Sequence, residues 1–171
     1  MNTPWRSCHR VLAVYLFIAL PGAVRAQAPG GQPVARNVPE IKFAPVPGLP
    51  TCGPGAVESG DPRNGPSVIL ARISAGCTIP WHWHTPNENL MLVSGVAHIQ
   101  ARDGKPLTLR AGGFALMPSR HAHQFRCTTA CLLYVYSDAA FDIHYVDDKG
   151  TEIAPDAALK SVKETAARVP R

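Results

Sequence analysis

Two histidines and a glutamate lie within seven residues of this sequence, in the stretch HWHTPNE at positions 82–88. Successive side chains of a β-strand point to opposite faces, so His82 and His84 would share one face, with the tryptophan between them on the other. The Thr-Pro-Asn turn then reverses the chain and returns Glu88 to the two imidazoles. Imidazole nitrogens and a carboxylate together suit a first-row divalent metal ion. The stretch therefore predicts part of a metal site.

A third histidine would complete such a site, and four histidines further along the chain are candidates. His98 alternates with the apolar residues of its segment and is expected to face solvent. His144 is expected to face outward or to pair with a polar group. His121 and His123 follow a proline, and their spacing allows both to face the ion. Phe125, two residues after His123, fits an inward-facing side of that segment.

The segments that position these residues are short, rich in strand-forming residues and separated by turn signals, and none has a helical period. The predicted strands cover residues 67–74, 89–93, 96–102, 107–109, 114–117, 122–127, 131–136 and 141–146. Many short strands at regular spacing predict an all-β sandwich or barrel.

Composition divides the chain into four parts. Residues 1–26 are predicted to be a signal peptide. Residues 27–50 contain six prolines and are predicted to form an extended arm or linker rather than core. Residues 51–150 hold the predicted β-barrel domain. Residues 151–171 are predicted to be a tail, either helical from the Pro-Asp pair at its start or frayed.

The N-terminal segment has the features of a secretory signal. Arg6 and Arg10 precede the apolar run 11–20, and Val24-Arg25-Ala26 forms a cleavage site. Ten apolar residues are too few to span a bilayer core of about 30 Å, although an uncleaved anchor is the alternative. Cleavage would leave 145 of the 171 residues, beginning at Gln27, which suits one domain. The protein is therefore expected to be periplasmic or secreted.

The charge of the chain gives little reason to expect a nucleic-acid partner. The sequence contains 17 basic and 12 acidic residues, but three arginines belong to the signal segment, so the mature chain would carry a net charge of only +2. No basic run with interleaved aromatic residues is present in the sequence. Neither nucleic acid nor, after cleavage, a membrane is expected as a partner.

Four cysteines follow the signal segment, and an exported chain meets an oxidising compartment, so disulfides are expected. Four cysteines allow three connectivities. Cys127 and Cys131 flank what resembles a hairpin turn, which favours a bond between them and leaves Cys52 to pair with Cys77. A cysteine that ligates metal is the alternative.

The histidine-rich stretch resembles the first sequence motif of the cupins, Gly-x5-His-x-His-x3–4-Glu-x6-Gly. Its fixed positions are filled by Gly76, His82, His84, Glu88 and Gly95. The second cupin motif, Gly-x5-Pro-x-Gly-x2-His-x3-Asn, is matched in part. Gly112, Pro118 and His123 stand at the right spacing, whereas Arg120 replaces the glycine and Cys127 replaces the asparagine.

This resemblance implies a double-stranded β-helix, the jelly-roll barrel of the cupins, around one divalent transition metal ion. The implied ligands are His82, His84, Glu88 and His123. His121 is kept as an alternative to His123, because Arg120 takes a positive φ less readily than glycine. Four protein ligands would leave two positions open on an octahedral ion, which favours Fe²⁺ or Mn²⁺, while Zn²⁺, Ni²⁺ and Cu²⁺ stay as candidates.

Apolar side chains are expected to line the barrel around the ion, and this suits a small, partly hydrophobic substrate or ligand. The expected lining residues are Leu90, Leu92, Ile99, Leu116 and Phe125. No catalytic acid or base is identified. The favoured function is a metal-dependent oxidoreductase of the dioxygenase type. A non-enzymatic cell-envelope protein that binds a ligand or a metal is the alternative, and an isomerase or decarboxylase is a lesser one. A homodimer is expected by analogy with the cupins.

Overall fold

A computed structural model of the chain describes residues 33–167, so the predicted signal peptide lies outside the described residues. A short 3₁₀-helix, Val38–Glu40, comes first, and helix α1, Pro155–Ala167, comes last. Between them the strands are β1 Gly55–Gly60, β2 Ser67–Ile73, β3 Thr78–Trp83, β4 Glu88–Ser94, β5 Val96–Ala101, β6 Leu107–Arg110, β7 Phe114–Met117, β8 His123–Cys127, β9 Cys131–Ser137 and β10 His144–Tyr145.

The strands form two antiparallel five-stranded sheets. The first sheet, called sheet A, has the order β1-β2-β9-β4-β7, and the second, called sheet B, has the order β10-β3-β8-β5-β6. Most strands that neighbour each other in a sheet are therefore distant in sequence, as in a jelly roll. The predicted all-β double-stranded β-helix is confirmed.

Alternation along the strands places one continuous core between the two sheets. In β2, Ile69, Ala71 and Ile73 are buried on the inner side, and Phe125 of β8 meets them from the other sheet. At the end of β4, Gly95 has φ 95°, and a Cβ there would stand 2.2 Å from the carbonyl oxygen of Ala130. Only glycine fits this position without displacement of the β8–β9 connection.

The sequence prediction missed β1, identified β3 only at its histidine end, and made one strand too long. β1 begins and ends with glycine, a residue typical of turns, so its sequence does not stand out as a strand. β3 contains Pro80, and its pairing with β8 is interrupted between Ile79 and His82, where a missing N–H is tolerated. The strand predicted for residues 141–146 is limited to the two residues of β10.

The proline-rich arm is held against the barrel. Ala44 forms a bridge with Gly55, and the hydroxyl of Tyr145 donates a hydrogen bond of 2.7 Å to the carbonyl oxygen of Gly48. The disulfide between Cys52 and Cys77 joins the end of this segment to the turn before β3. A second disulfide, Cys127–Cys131, closes the turn from β8 to β9. The pairs are those favoured from the sequence.

Helix α1 packs against β3 and β10 and buries Ala158. Pro155 occupies its first position and Asp156 its first turn, both of which favour a helix N-terminus. The predicted C-terminal helix is therefore present. Within residues 33–167, no helix has both the length and the apolar character that crossing a membrane requires.

Candidate metal centre

Both sheets contribute to a cluster of three histidines and one glutamate inside the barrel. His82 lies at the end of β3 directly opposite His123 of β8, and His84 follows two residues later. Glu88 begins β4 of the other sheet. All four side chains are buried, and one potential ligand atom of each lies within 4.8 Å of the others.

The outer nitrogen of each imidazole is fixed by a backbone carbonyl. Nδ1 of His82 donates to the oxygen of Pro80 at 2.6 Å, and Nδ1 of His123 donates to the oxygen of His121 at 2.9 Å. Nδ1 of His84 donates to the oxygen of Asp142. A carbonyl oxygen only accepts hydrogen bonds, so Nδ1 carries the hydrogen in each ring. The Nε2 lone pairs are thereby free for a shared ligand, as in protein metal sites.

Two of the inner nitrogens lack hydrogen-bond partners. Nε2 of His84 and Nε2 of His123 are buried with none, although the Glu88 carboxylate oxygens lie only 3.5 and 3.3 Å away. Two acceptors that face one another at this distance repel unless a cation lies between them. The donor set therefore fits a divalent metal ion.

Burial and local charge set the ionisation of the cluster. Burial is the main reason why the pKa of His82 lies well below its usual value, and the neighbouring imidazoles lower it further. For Glu88, burial alone would raise the pKa, but His84 and His123 outweigh it, and the pKa is below its usual value. A neutral imidazole and an ionised carboxylate are the states in which these side chains bind metal.

The turn between His84 and Glu88 is held from both sides. The Asp138 carboxylate accepts hydrogen bonds from the backbone N–H of Asn87 at 3.0 Å and from its side-chain amide at 2.6 Å. Asn87 in turn accepts from the N–H of Ser119 at 3.0 Å. These bonds fix where Glu88 enters the barrel.

His84 is supported by residues 141–144. The Phe141 ring stacks on its imidazole with the centroids 4.5 Å apart. His144 bonds to Glu152 at 2.8 Å and to Asp142 at 3.2 Å, and it stacks on Trp83. Partial burial alone would lower the pKa of His144, but the two carboxylates raise it above its usual value.

Arg120 keeps the backbone conformation expected of the glycine it replaces. Its φ is 59°, and among the described residues no other non-glycine residue has a positive φ. Such a conformation costs on the order of 1 kcal/mol or more. Its N–H donates to the carbonyl oxygen of His84 at 2.8 Å. The substitution therefore leaves His123 in register.

A small apolar cavity adjoins the four polar side chains. It has about 40 Å³ of room for the centres of water-sized molecules. Leu90 and Phe125 line it, as expected from the sequence. Leu92 and Ile99 instead pack deeper in the core and do not reach the cavity. Leu116 was placed on the wrong face: it is 47% exposed on the outside of β7, and Ala115 and Met117 face inward.

Most other lining residues were not among those expected from the sequence, and several of them come from outside the sheets. Val46, Leu49 and Pro50 of the arm, together with Phe141, cover the cavity. The signal for the arm was its apolar residues Ile41, Phe43 and Val46, which would be exposed unless the arm lay against the domain.

The other histidines of the barrel are not part of the cluster. His98 is exposed, as expected. His121 contributes its carbonyl oxygen to His123, and its side chain is absent from both the cluster and the cavity lining.

The fold is a jelly-roll barrel, and the three histidines and one glutamate inside it have the geometry of a metal site. The model of the cupin domain family matches residues 69–136. Residues 69–136, which run from β2 to β9, are therefore similar to the cupin domain family. No curated protein matches it.

Several solved structures are similar to this chain at low sequence identity. A putative acetylacetone dioxygenase from Methylibium petroleiphilum PM1 is 17% identical, with a TM-score of 0.57, over 75% of this chain and 90% of that one. A structure from work on the DMSP lyases RdDddP and RnDddQII is 20% identical, with a TM-score of 0.54, over 64% of each chain. A cupin-2 protein from Shewanella frigidimarina is 21% identical, with a TM-score of 0.43, over 49% of this chain and 78% of that one.

Proposed function

We propose that this cupin is a metal-dependent oxidoreductase of the dioxygenase type that acts on a small, largely apolar molecule. The observation that carries the proposal is the composition of the cavity. Apart from His82, His84, Glu88 and His123, every lining residue is glycine, proline or a hydrophobic residue. A polar centre at the wall of an apolar cavity suits a substrate that binds by one polar end.

The residues of the chain would hold the ion and shape its surroundings. His82, His84, His123 and Glu88 are the proposed ligands, and Fe²⁺ or Mn²⁺ is the favoured ion. An ion with four protein ligands supplies Lewis-acid and redox chemistry at its remaining positions. The three Nδ1 bonds to backbone carbonyls orient the imidazoles before the ion arrives.

The cavity limits the size of the substrate. A water molecule needs roughly 10–15 Å³ of such space, so about 40 Å³ admits on the order of three water-sized groups. Small diketones and small aromatic compounds are the first substrates to test, and since both exceed three such groups, part of the molecule would extend beyond the cavity. The fold similarity to a putative acetylacetone dioxygenase supports this choice as an analogy.

The test is oxygen uptake by the protein loaded with Fe²⁺, measured across a panel of small diketones, aromatic compounds and thiols. We expect one substrate to consume about one O₂ per molecule, with both atoms of labelled O₂ found in the products. His82→Ala should abolish uptake. His98→Ala, which removes an exposed histidine from the same barrel, should not. Absence of uptake with every compound would overturn the proposal.

A second candidate is a protein that binds a small ligand or a metal without catalysis. It is favoured by one observation: the cavity lining contains no titratable side chain besides the four proposed ligands. Proton transfer by a side chain is a usual part of catalysis, and the cavity provides none outside the cluster. Saturable metal-dependent binding of a panel compound without turnover would support this candidate.

We also propose that the protein is exported to the periplasm or secreted. The signal-like pattern of residues 1–26 supports this, and so do the disulfides Cys52–Cys77 and Cys127–Cys131, since such bonds persist in oxidising compartments. Mass spectrometry of the protein recovered from the periplasm or medium should find an N-terminus at Gln27. A cytoplasmic protein that begins at residue 1 or 2 would contradict it.

A further inference from the structure

A second, larger concave space adjoins the apolar cavity. It lies between residues 36–47 of the arm and strand β1, and we call it the outer groove. Val46, Ile69 and Phe141 line both the cavity and the groove, so the two spaces adjoin at these three side chains. The groove has about 990 Å³ of room for the centres of water-sized molecules, against about 40 Å³ in the cavity. A molecule that extends beyond the cavity at this end would enter the outer groove.

The walls of the outer groove are mainly apolar. Besides the three shared residues, Ile41, Val57 and three prolines line it. Val57 of β1 lies opposite Ile69 of β2, so both side chains are on the inner side of the sheet. Val57 is nevertheless 46% exposed, because it faces the groove and not the core. Exposed hydrophobic residues that line a concave surface mark a ligand-binding groove.

Both walls of the groove are fixed by contacts of the backbone. Ala44 of the arm and Gly55 of β1 exchange two hydrogen bonds of 2.9 Å. A Cβ at Gly55 would stand 2.9 Å from a methyl group of Val46 and 3.0 Å from one of Ile69, so glycine lets the arm approach β1 closely. A bound molecule would not have to order either wall, which lowers the entropic cost of binding.

The charged side chains of the groove are balanced in number, but most of the acidic ones already have partners. Asp61 accepts hydrogen bonds of 3.1 Å from two nitrogens of Arg63, and Glu40 accepts one of 2.6 Å from the backbone N–H of Asn37. Three basic and three acidic residues line the groove: Arg36, Lys42, Arg63, Glu40, Glu58 and Asp61. Glu58 is the acidic residue whose partners are incomplete.

Glu58 is the extra residue of a β-bulge. Val57 pairs with Ile69 and Ser59 pairs with Val68, which leaves Glu58 without an opposite residue, and a bulge changes the direction of the side chain that it carries. One carboxylate oxygen, Oε2, lies 3.8 Å from Nη1 of Arg36. The other, Oε1, is buried and has no hydrogen-bond partner among the described residues. A buried acceptor without a donor is unfavourable, so a ligand that donates a hydrogen bond here would gain affinity.

We propose that the outer groove binds the tail of the substrate, which makes the substrate an elongated amphiphile. Its polar head would bind at the proposed ion, and its unbranched apolar tail would pass along Val57 and Ile69. A hydroxyl or amino group at the far end would donate a hydrogen bond to Glu58. The inference rests on the proposed function for the position of the head, and it adds the class of the substrate.

The experiment measures binding without turnover. The protein loaded with Mn²⁺ is titrated calorimetrically with acetohydroxamate, hexanohydroxamate and decanohydroxamate, because a hydroxamate binds a metal ion through its two oxygens and these compounds differ only in their tails. Two valines of equal exposure provide matched variants: Val57 and Val93 are each 46% exposed, and Val93 does not line the groove. Val57→Asp and Val93→Asp are compared after circular dichroism and metal content have shown that both fold.

The dissociation constant should fall about two- to fourfold for each added methylene group, since full burial of such a group corresponds to about fourfold. Val57→Asp should bind acetohydroxamate normally but lose most of the gain from the longer tails, whereas Val93→Asp should keep it. Equal affinity of the unmodified protein for all three compounds would overturn the proposal. A gain that survives in Val57→Asp, or that both variants lose equally, would overturn it too.

The far end of the tail is tested with the same hydroxamates carrying a terminal amino group. At the chain length that reaches Glu58, the amino compound should bind about tenfold more tightly than the methyl-ended one, because a hydrogen bond between charged groups is stronger than a neutral one. Glu58→Gln should abolish this preference. Glu40→Gln, which removes the same charge from the same groove, should not. No preference at any length, or equal loss in both variants, would overturn the proposed amino or hydroxyl end.

The results separate this inference from the proposed function. Binding of acetohydroxamate without any gain from longer tails would overturn the inference alone. A full gain in a protein that consumes no oxygen with any substrate would support the outer groove and contradict the oxidoreductase. Failure of every hydroxamate to bind the metal-loaded protein would overturn both.

Discussion

Replacement of His123 by alanine tests how the metal site is built, because this ligand comes from a strand about forty residues after the others. His121, two residues earlier, is the matched control. Its side chain lies outside the cluster, and the carbonyl oxygen that holds His123 is retained in His121→Ala. The quantity to compare is the rise in melting temperature on addition of Mn²⁺ or Zn²⁺. Because each variant is compared with and without metal, the stability that it loses through the cavity left by the smaller side chain cancels.

The expected size follows from binding linkage. An ion at a hundred times its Kd stabilises the native state by about 2.7 kcal/mol. For a domain of this length, 1 kcal/mol corresponds to about 2–4 °C, so the unmodified protein should melt about 5–11 °C higher with the ion. Loss of a residue that only hydrogen-bonds to a metal ligand weakens metal binding by up to about a hundredfold. Loss of one of the four ligands themselves should therefore weaken it at least that much. The shift for His123→Ala should then fall to about 1–2 °C.

The assay is differential scanning calorimetry at one fixed metal concentration, with the metal-free form of each variant as its own reference. His121→Ala should keep the full shift. Equal shifts for both variants and for the unmodified protein would refute the assignment of His123. A loss confined to His121→Ala would move the ligand to that residue.

Three further outcomes are expected. Asp138→Ala should weaken metal binding about tenfold, measured by calorimetric titration, because Asn87 loses the carboxylate that fixes the turn before the glutamate ligand; unchanged affinity would show that the turn holds its shape alone. His144→Gln should destabilise the protein more at pH 5.5 than at pH 9. Because the pKa of His144 is raised in the folded state, its protonated form stabilises the protein below the pKa of the unfolded state, and this stabilisation is lost as the pH rises through the folded-state pKa. Equal loss at both pH values in denaturant titrations would contradict this. Tyr145→Phe should lower the free energy of unfolding by about 1 kcal/mol through loss of the bond to the arm, whereas Tyr134→Phe should change it little; equal effects would contradict the role given to that bond.

The sequence predicted the metal ligands where residues able to bind metal also fall on one face of a strand. His82 and His84 share a face because alternation is a property of any strand, and Glu88 returns to them through a short turn. The choice of His123 over His121 did not follow from local pattern, since both positions are compatible with a strand start. It depended on resemblance to a family motif, and the structure explains it by the pairing of His82 with His123.

The failures have physical causes in particular residues. Leu116 was assigned to the interior because strand alternation identifies the inner face only when the outer face is polar, and in β7 the outer face is also apolar. The arm resembled a linker because prolines suppress any strand or helix period. Its contacts with the barrel depend on Tyr145 and Cys77, which are distant in sequence. Long-range contacts of this kind leave no local pattern.

We propose that His82, His84, Glu88 and His123 hold one transition metal ion. The direct test is to measure the metal content of the protein purified from its native compartment and to record the X-ray absorption spectrum of that metal. We expect about one ion per chain, coordinated by imidazole nitrogens and carboxylate oxygen, and almost none in the His82→Ala, His84→Ala double variant. A protein without bound metal, an ion with sulfur ligands, or undiminished metal in the double variant would contradict it.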